Sequence, residues 1–152
     1  MVYKFVCILL ILINSWLYAD GSSPKPIGLG FIIGSPSGFH AKFRTSAKND
    51  IDAMLGIDWD DWFFVHADYL WNFGISSDAN LGLYVGPGGF LATHSGGNDK
   101  HKTKLFGPQG VFGFRIILGG QFDIFAELQA RMNIIDDTDI FLDGGLGAHF
   151  YF

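Results

Sequence analysis

The sequence comprises 152 residues, with ten lysines and arginines against fifteen aspartates and glutamates, and a formal net charge of −5. Nucleic-acid-binding proteins are usually basic, so this balance argues against nucleic acid as a partner. Charged residues make up only 16% of the chain, whereas phenylalanine alone occurs sixteen times. Soluble domains carry about 25% charged residues, so this composition is unusual for a protein dissolved in water.

The first nineteen residues have the pattern of a secretory signal peptide. Lys4 supplies a positive charge, residues 5–13 form an apolar run, and Ala19 is a small residue just before the expected cleavage. An N-terminal membrane anchor is the alternative, but a spanning helix needs about 20 apolar residues. Asn14 interrupts this run early. We therefore expect a cleaved signal over residues 1–19 and export of the remainder.

The remainder, residues 20–152, has the length of one domain. The only cysteine, Cys7, lies within the predicted signal peptide, so the exported chain would contain no disulfide. No window after the signal has a helical period or an apolar run long enough for a second spanning helix. Short runs rich in Phe, Ile, Leu and Val, separated by Gly, Asn, Asp and Ser, instead predict strands.

Eight strands are predicted from the alternation of apolar and polar residues. In chain order they cover residues 26–34, 37–46, 50–59, 62–73, 80–93, 108–119, 121–133 and 139–152. The seventh is the clearest, with Phe122, Ile124 and Leu128 on one face and Asp123 and Glu127 on the other. Because the side chains of a strand point alternately to opposite sides, each strand builds one apolar and one polar face.

Alternation alone does not fix which face is outside. A soluble lipocalin-like barrel has the same alternation with its apolar face inward. Here the apolar face has almost no charged residue across at least six strands, and the polar face contains many glycines. Glycine only weakens a water-facing strand, but inside a narrow barrel it makes room for long charged neighbours. Together with the aromatic excess and the export signal, these features predict an all-β, eight-stranded, antiparallel up-and-down transmembrane β-barrel with its apolar face in lipid.

The polar face supplies the predicted interior, or lumen, of the barrel. By parity the lumen contains His40, Lys42, Arg44, Asp52, Asp58, His66, Asp68, Arg115, Asp123, Glu127, Arg131, Asp143 and His149. An eight-stranded barrel is just wide enough for side chains to fill it, and buried bases need acidic partners. We expect a plug of ion pairs and hydrogen bonds, with a narrow conduit for ions or small solutes as the alternative.

The connections between successive strands lie alternately at the two ends of the barrel. With both ends of the barrel in the periplasm, the external connections lie around Ser35-Pro36-Ser37, Asp60-Asp61, residues 95–107 and Asp136-Asp137-Thr138. The third is the longest and contains the only pronounced basic cluster, Lys100, His101, Lys102 and Lys104. This cluster is either part of a solvated loop or a contact for anionic material such as glycan, lipid head groups or a host protein.

The last strand ends on aromatic residues. Phe150 and Phe152 share its apolar face, and aromatic rings are favoured at a membrane interface. A closed barrel has no unpaired edge, so its final strand can be ordered up to the last residue.

Eight strands, a polar lumen and a terminal phenylalanine resemble the small outer-membrane barrels of the OmpA transmembrane-domain and OmpX type. More narrowly, GLGFIIGSPSGFHAKF (28–43), HADYLWNF (66–73) and LYVGPGG (83–89) resemble a family of small outer-membrane barrels of unknown function with spirochaetal members. The resemblance implies a location in the bacterial outer membrane, with outer-membrane lipid and the barrel-assembly machinery as partners. It also implies that Phe152, with Phe150, is an assembly signal. Unlike in the full OmpA protein, no peptidoglycan-binding domain is expected after the barrel.

No arrangement of residues indicates catalysis or a cofactor. His66 and Asp68 lie two apart on one face, as in a hydrolase dyad, but no serine is well placed on a neighbouring inward face. The five histidines are spread over four strands and a loop without metal-ligand spacing. The glycine-rich LYVGPGGF precedes no helix and lacks the Gly-Lys-Ser/Thr of a phosphate loop. We therefore expect no catalytic residue, no metal and no cofactor.

The sequence thus predicts a monomeric, non-enzymatic outer-membrane barrel. Its role would be in envelope structure or in surface interaction, such as adhesion or the binding of a host or envelope ligand through the external loops. A narrow conduit is the alternative, and a lipid-modifying enzyme is a third, less favoured hypothesis because the catalytic constellation is missing.

Overall fold

The computed structural model describes residues 25–76, 80–94, 103–135 and 138–152, and the predicted signal peptide lies outside these ranges. They contain eight β-strands: β1 (Ile27–Ser35), β2 (Ser37–Arg44), β3 (Asn49–Ile57), β4 (Trp62–Ser76), β5 (Leu81–His94), β6 (Thr103–Leu118), β7 (Phe122–Met132) and β8 (Ile140–Tyr151). In the described ranges no helix has the length and apolar character needed to cross a membrane.

The eight strands form one closed antiparallel barrel. Each strand pairs with the next along the chain, and β8 pairs with β1. The closing ladder runs from Gly28 opposite Tyr151 to Ser35 opposite Gly144. Closure satisfies the backbone hydrogen bonds that an open sheet would expose at its edges, as a bilayer requires. The predicted all-β, eight-stranded up-and-down architecture is confirmed.

The barrel has two distinct ends. The start of β1 and the end of β8 lie at one end, here named the terminal end, and the opposite end is named the loop end. At the terminal end β6 and β7 are joined by a tight turn in which Gly119 and Gly120 have φ values of 59° and 76°. Such left-handed backbone is natural for glycine and costly for other residues, which accounts for the paired glycines here.

Strand β6 begins five residues earlier than predicted, at Thr103 rather than 108. Its first residues continue the hairpin with β5, with Lys104 opposite Thr93 and Phe106 opposite Leu91. The predicted strand began only at Pro108, and proline is usually excluded from the middle of a paired strand. In the barrel Pro108 lies opposite Gly89, and that glycine has no side chain to obstruct the ring. The prediction that Lys104 belongs to a loop is therefore wrong.

The outer face of the barrel is apolar and the interior is polar. Leu55, Leu128 and Leu146 have 54%, 54% and 66% of their surface exposed, whereas Lys42 and Asp52 are fully buried. A soluble lipocalin-like barrel has the reverse arrangement. Exposed leucines around a polar interior are the arrangement of a barrel whose solvent is lipid.

Large aromatic side chains are exposed on the outer face near both ends. Near the terminal end these are Phe43, Trp71, Phe73, Phe122, Phe150 and Phe152. Near the loop end they are Phe39, Trp59, Phe63 and Phe106. Two aromatic girdles flanking an aliphatic band are typical of transmembrane barrels, because aromatic rings favour the interface between lipid and water.

Candidate functional site

The centre of the lumen is closed by an apolar cluster. Six of the eight strands contribute one side chain each to it, and the members are Ile32, Met54, Leu70, Tyr84, Val111 and Phe125, all with at most 2% exposure. A second cluster nearer the loop end contains Phe64, Phe90 and Ala92. The predicted plug of ion pairs and hydrogen bonds is therefore incomplete, because apolar rings and aliphatic chains fill much of the interior.

Three of the aromatic rings in the lumen lie directly over glycines of the neighbouring strand. Tyr84 is opposite Gly113, Phe125 is opposite Gly147, and Tyr151 is opposite Gly28. A Cβ atom added at any of these glycines would collide with the ring, at 2.7 Å in the case of Gly28. The expectation that these glycines make room for long charged neighbours is corrected: here they make room for aromatic rings, as in other aromatic–glycine pairs of β-sheets.

At the terminal end the lumen contains an ion-pair group centred on Asp50. Its carboxylate lies 3.2 Å from Arg115 Nη1 and 3.9 Å from Arg44 Nε. The Arg44 guanidinium also stacks over the ring of Tyr151, 5.2 Å from its centroid. Asp50 is 1% exposed and was not among the predicted lumen residues. Extending the alternation of the third strand by one step back from Asp52 would have found it.

At the loop end a second ion pair closes the lumen. Arg131 Nη2 lies 2.7 Å from Asp143 Oδ2, and its guanidinium lies 4.5 Å from the centroid of the Phe64 ring. The Ser35 hydroxyl donates to Asp58 at 2.8 Å and to Asp143 at 3.1 Å as alternative acceptors. Cation, carboxylates and aromatic ring thus form one compact group at this rim.

Between these two groups lies a file of histidines and acids. His40 Nδ1 and His149 Nε2 are 2.6 Å apart, and His149 Nδ1 lies 2.7 Å from Asp123. The Tyr151 hydroxyl donates to the other oxygen of Asp123 at 2.6 Å. The ring of Phe125 stacks on that of His149 at a centroid distance of 4.5 Å. Each ring is thereby fixed in orientation by a hydrogen bond, a stacking contact or both.

His66 forms a separate group. Its Nδ1 lies 2.7 Å from Asp68, and its Nε2 lies 3.1 Å from the sulfur of Met54. The amide of Gln109 donates to both oxygens of Asp68, at 2.5 and 2.7 Å. In the described residues no serine is hydrogen-bonded to His66. His66 and Asp68 are therefore in direct contact, as their spacing on one face suggested.

Glu127 is held by neutral partners. The Tyr84 hydroxyl donates to one of its oxygens at 2.9 Å, and the amide of Gln129 donates to the other at 2.6 Å. Lys42 Nζ lies over the Tyr84 ring, 4.1 Å from its centroid. Gln109 and Gln129 are buried amides that were not among the predicted lumen groups, since only charged residues and histidines were assigned there.

All thirteen predicted lumen residues line the interior or its rims. Arg44, Asp58 and Asp143 are partly exposed near the two ends, and the other ten are buried. Of the predicted loop contact, Lys104 is exposed on β6, and Lys100, His101 and Lys102 lie outside the described residues. Phe150 and Phe152 lie on the outer face with their ring centroids 5.8 Å apart, and their role as an assembly signal stays a prediction.

Barrel closure also brings together possible metal ligands that are far apart in the sequence. His40 and His149 are 109 positions apart in the chain and in direct contact in the lumen. Two groups in the described residues could hold a metal ion, His40 with Asp52 and Glu127, and Asp52 with His66 and Asp68. In each group the ligand atoms lie within 4.8 Å of one another. The spacing of histidines along the chain was therefore a poor guide, because register and closure decide which side chains meet.

Several solved structures of transmembrane β-barrels are similar to this chain. The N-terminal β-barrel domain of Pseudomonas aeruginosa OprF is 15% identical with a TM-score of 0.66, covering 84% of this chain and 98% of that one. A de novo designed transmembrane β-barrel is 11% identical with a TM-score of 0.59, covering 86% and 98%. Neisserial surface protein A is 14% identical with a TM-score of 0.55, covering 88% and 100%. No protein-family model matches the sequence, and no curated protein matches it.

These structures share the closed eight-stranded architecture over nearly their whole length, at identities too low to transfer an activity. The protein has the fold of the small eight-stranded outer-membrane β-barrels.

Proposed function

We infer that the protein is an integral, monomeric β-barrel of the bacterial outer membrane without enzymatic activity. It acts in envelope structure or in surface interaction through the segments at its loop end. The observation that carries this proposal is the sidedness of the barrel, with leucines such as Leu128 and Leu146 exposed outside and charged residues sealed inside. One similar structure is named a surface protein, which supports a role at the cell surface.

The packing of the lumen favours a closed barrel rather than a pore. Tyr84 and Lys42 at its centre are completely buried, and an ion pair between Arg131 and Asp143 lies at the loop end. A barrel filled in this way offers no water column, so its interaction with other molecules is left to the two rims and the connections. Among those connections, the segment between His94 and Thr103 contains Lys100, His101 and Lys102, three of the four residues of the predicted contact.

The segment is tested by comparing intact cells that display two forms of the protein. In one form residues 95–102 are replaced by Asn-Gly, since His94 and Thr103 are directly paired and can be joined by a tight turn. Cells are offered sulfated glycans, anionic phospholipid vesicles and extracellular-matrix proteins. We expect the shortened form to lose binding to at least one anionic class. Equal binding by both forms, at equal surface amounts, would exclude this segment as the contact.

A narrow conduit is the alternative function, favoured by the file of polar groups that links His40, His149 and Asp123 inside the lumen. Planar-bilayer recording of the refolded protein separates the two. The proposed closed barrel gives no steady conductance. Steady channels that disappear in Arg115→Leu or Arg131→Leu would establish the conduit instead.

A further inference from the structure

The middle of the barrel contains more buried negative than positive charge. At the two ends, the buried arginines pair with acids. Between them lie four buried carboxylates, those of Asp52, Asp68, Asp123 and Glu127, and one buried ammonium group, that of Lys42. Charges removed from water need partners or they destabilise the fold. The composition of this layer therefore favours the uptake of a cation.

A hydrogen-bond chain fixes the tautomer of His40. An ionised Asp123 can only accept hydrogen bonds, so it takes them from the Tyr151 hydroxyl and from His149 Nδ1–H, at 2.6 and 2.7 Å. Neutral His149 then has a lone pair on Nε2, which accepts from His40 Nδ1–H at 2.6 Å. Because a neutral imidazole has one N–H, the free lone pair of His40 is on Nε2.

That lone pair faces a carboxylate. His40 Nε2 lies 3.7 Å from Asp52 Oδ2, and both side chains are fully buried. Within the part of the chain that the structure describes, neither this nitrogen nor either oxygen of Asp52 has a hydrogen-bond partner. Two acceptors at this distance repel each other unless a proton or a metal cation lies between them. Two ligands of one tetrahedral zinc ion lie about 3.3 Å apart, close to the observed separation.

Glu127 completes the set of ligands. One ligand atom each from His40, Asp52 and Glu127 lies within 4.8 Å of the others. The carboxylate of Glu127 is oriented by Tyr84 and Gln129, as His40 is oriented by its neighbour in the file. Outer hydrogen bonds of this kind are typical of metal ligands, since they hold the donor atoms in place.

We propose that His40 Nε2, Asp52 and Glu127 form a binding site for a divalent transition-metal ion such as Zn²⁺ in the middle of the lumen. Imidazole nitrogen and carboxylate oxygen are the ligands that such ions take, and three protein ligands leave a fourth position for water. The adjacent group with His66 and Asp68 is less suited, because both ring nitrogens of His66 already have partners.

Lys42 is the competing explanation for the charge of this layer. Its ammonium group is buried and has no hydrogen-bond partner among the described residues, and it lies over the ring of Tyr84. If Lys42 alone balances Asp52, the layer has no need of a metal ion. The two explanations differ in whether the folded protein retains zinc.

The protein is refolded into detergent with Zn²⁺ or with EDTA, freed of unbound metal by gel filtration, and analysed for zinc. We expect about one zinc per chain, together with a rise in the thermal unfolding midpoint that EDTA abolishes. His40→Gln, Asp52→Asn and Glu127→Gln are expected to lose the zinc, whereas His94→Gln, outside the site, is expected to retain it. Wild-type protein that retains no zinc, or retention unaffected by all three substitutions, would overturn the proposal.

Two further measurements keep the test independent of how well the variants fold. In EDTA, Asp52→Asn is expected to be at least as stable as the wild type, since it removes a buried carboxylate without a donor. In the presence of Zn²⁺ we expect the wild type to be more stable than Asp52→Asn. The wild-type protein refolded with Co²⁺ is expected to give the visible absorption of a tetrahedral cobalt site. Absence of these bands, with no cobalt retained, would equally refute the site.

Discussion

The pairing of Tyr84 with Gly113 shows how single residues shape the lumen. The ring of Tyr84 is completely buried, and its hydroxyl is fixed by a hydrogen bond to Glu127. Lys42 lies over the same ring, so the ring is held from several sides. Gly113 is therefore required for the space that its missing side chain leaves, not for an unusual backbone conformation.

The barrel has no space for a methyl group at Gly113, because the ring of Tyr84 occupies it. We expect Gly113→Ala to destabilise the barrel by about 1–3 kcal/mol, the usual cost of overpacking a filled core. Gly110→Ala in the same strand is the matched control, because a Cβ at Gly110 meets no atom within 4 Å. Urea unfolding of both variants in detergent micelles measures the difference. Equal midpoints for the two variants would show that Tyr84 yields to the methyl group.

At the scale of elements, the hairpin of β5 and β6 shows what alternation can and cannot predict. Alternation placed all eight strands and their faces, because each strand has one face in lipid and one in the lumen. It began the sixth strand only at Pro108, yet it continued β5 through Pro87, which lies opposite Gly110. A proline opposite glycine fits a paired strand, but that pairing is visible only once the register is known.

The contacts of the lumen depend on register in the same way. Parity along each strand predicted that His40, His149 and Asp123 point inward. It could not predict that they join in one file, since His40 on β2 and His149 on β8 are 109 positions apart in the chain and meet only because the barrel closes. The apolar cluster was missed for a different reason. Its members, such as Tyr84 and Phe125, lie on faces that were assigned as polar from their charged neighbours.

The observed extent of β6 leads to a prediction about the hairpin. Replacing residues 95–102 with Asn-Gly leaves every described pair of β5 and β6 intact, so we expect a change in stability below about 1 kcal/mol. Removing residues 95–106 instead takes the first strand residues of β6 and the packing of Leu105 on the second apolar cluster. Lost ladder hydrogen bonds at roughly 0.5–1.5 kcal/mol each should then lower stability by about 2 kcal/mol or more.

Heat-modifiable migration and urea unfolding of the two deletions measure this difference. If removing 95–106 were as mild as removing 95–102, residues 103–106 would contribute no pairing, and the loop boundary predicted from the sequence would be the better one.

At the scale of the whole molecule, the sidedness of the barrel determines its solvent. Exposed leucines and two aromatic girdles cover the outside, while the charged side chains form two ion-pair groups and a central polar layer inside. Such a molecule is stable only where its outer face meets an apolar medium. In water alone, an exposed apolar surface of this extent drives association.

Two leucines on the outer face provide the sharpest test of this sidedness. Leu128 lies near the middle of β7 and is 54% exposed, and Leu118 ends β6 at the terminal end and is 46% exposed. Arginine facing lipid costs about 2–4 kcal/mol at the bilayer midplane and about 0–1 kcal/mol near the interface. We therefore expect Leu128→Arg to destabilise the protein folded in lipid vesicles far more than Leu118→Arg does. If both substitutions were neutral, and the protein stayed monodisperse without detergent, the outer face would be facing water.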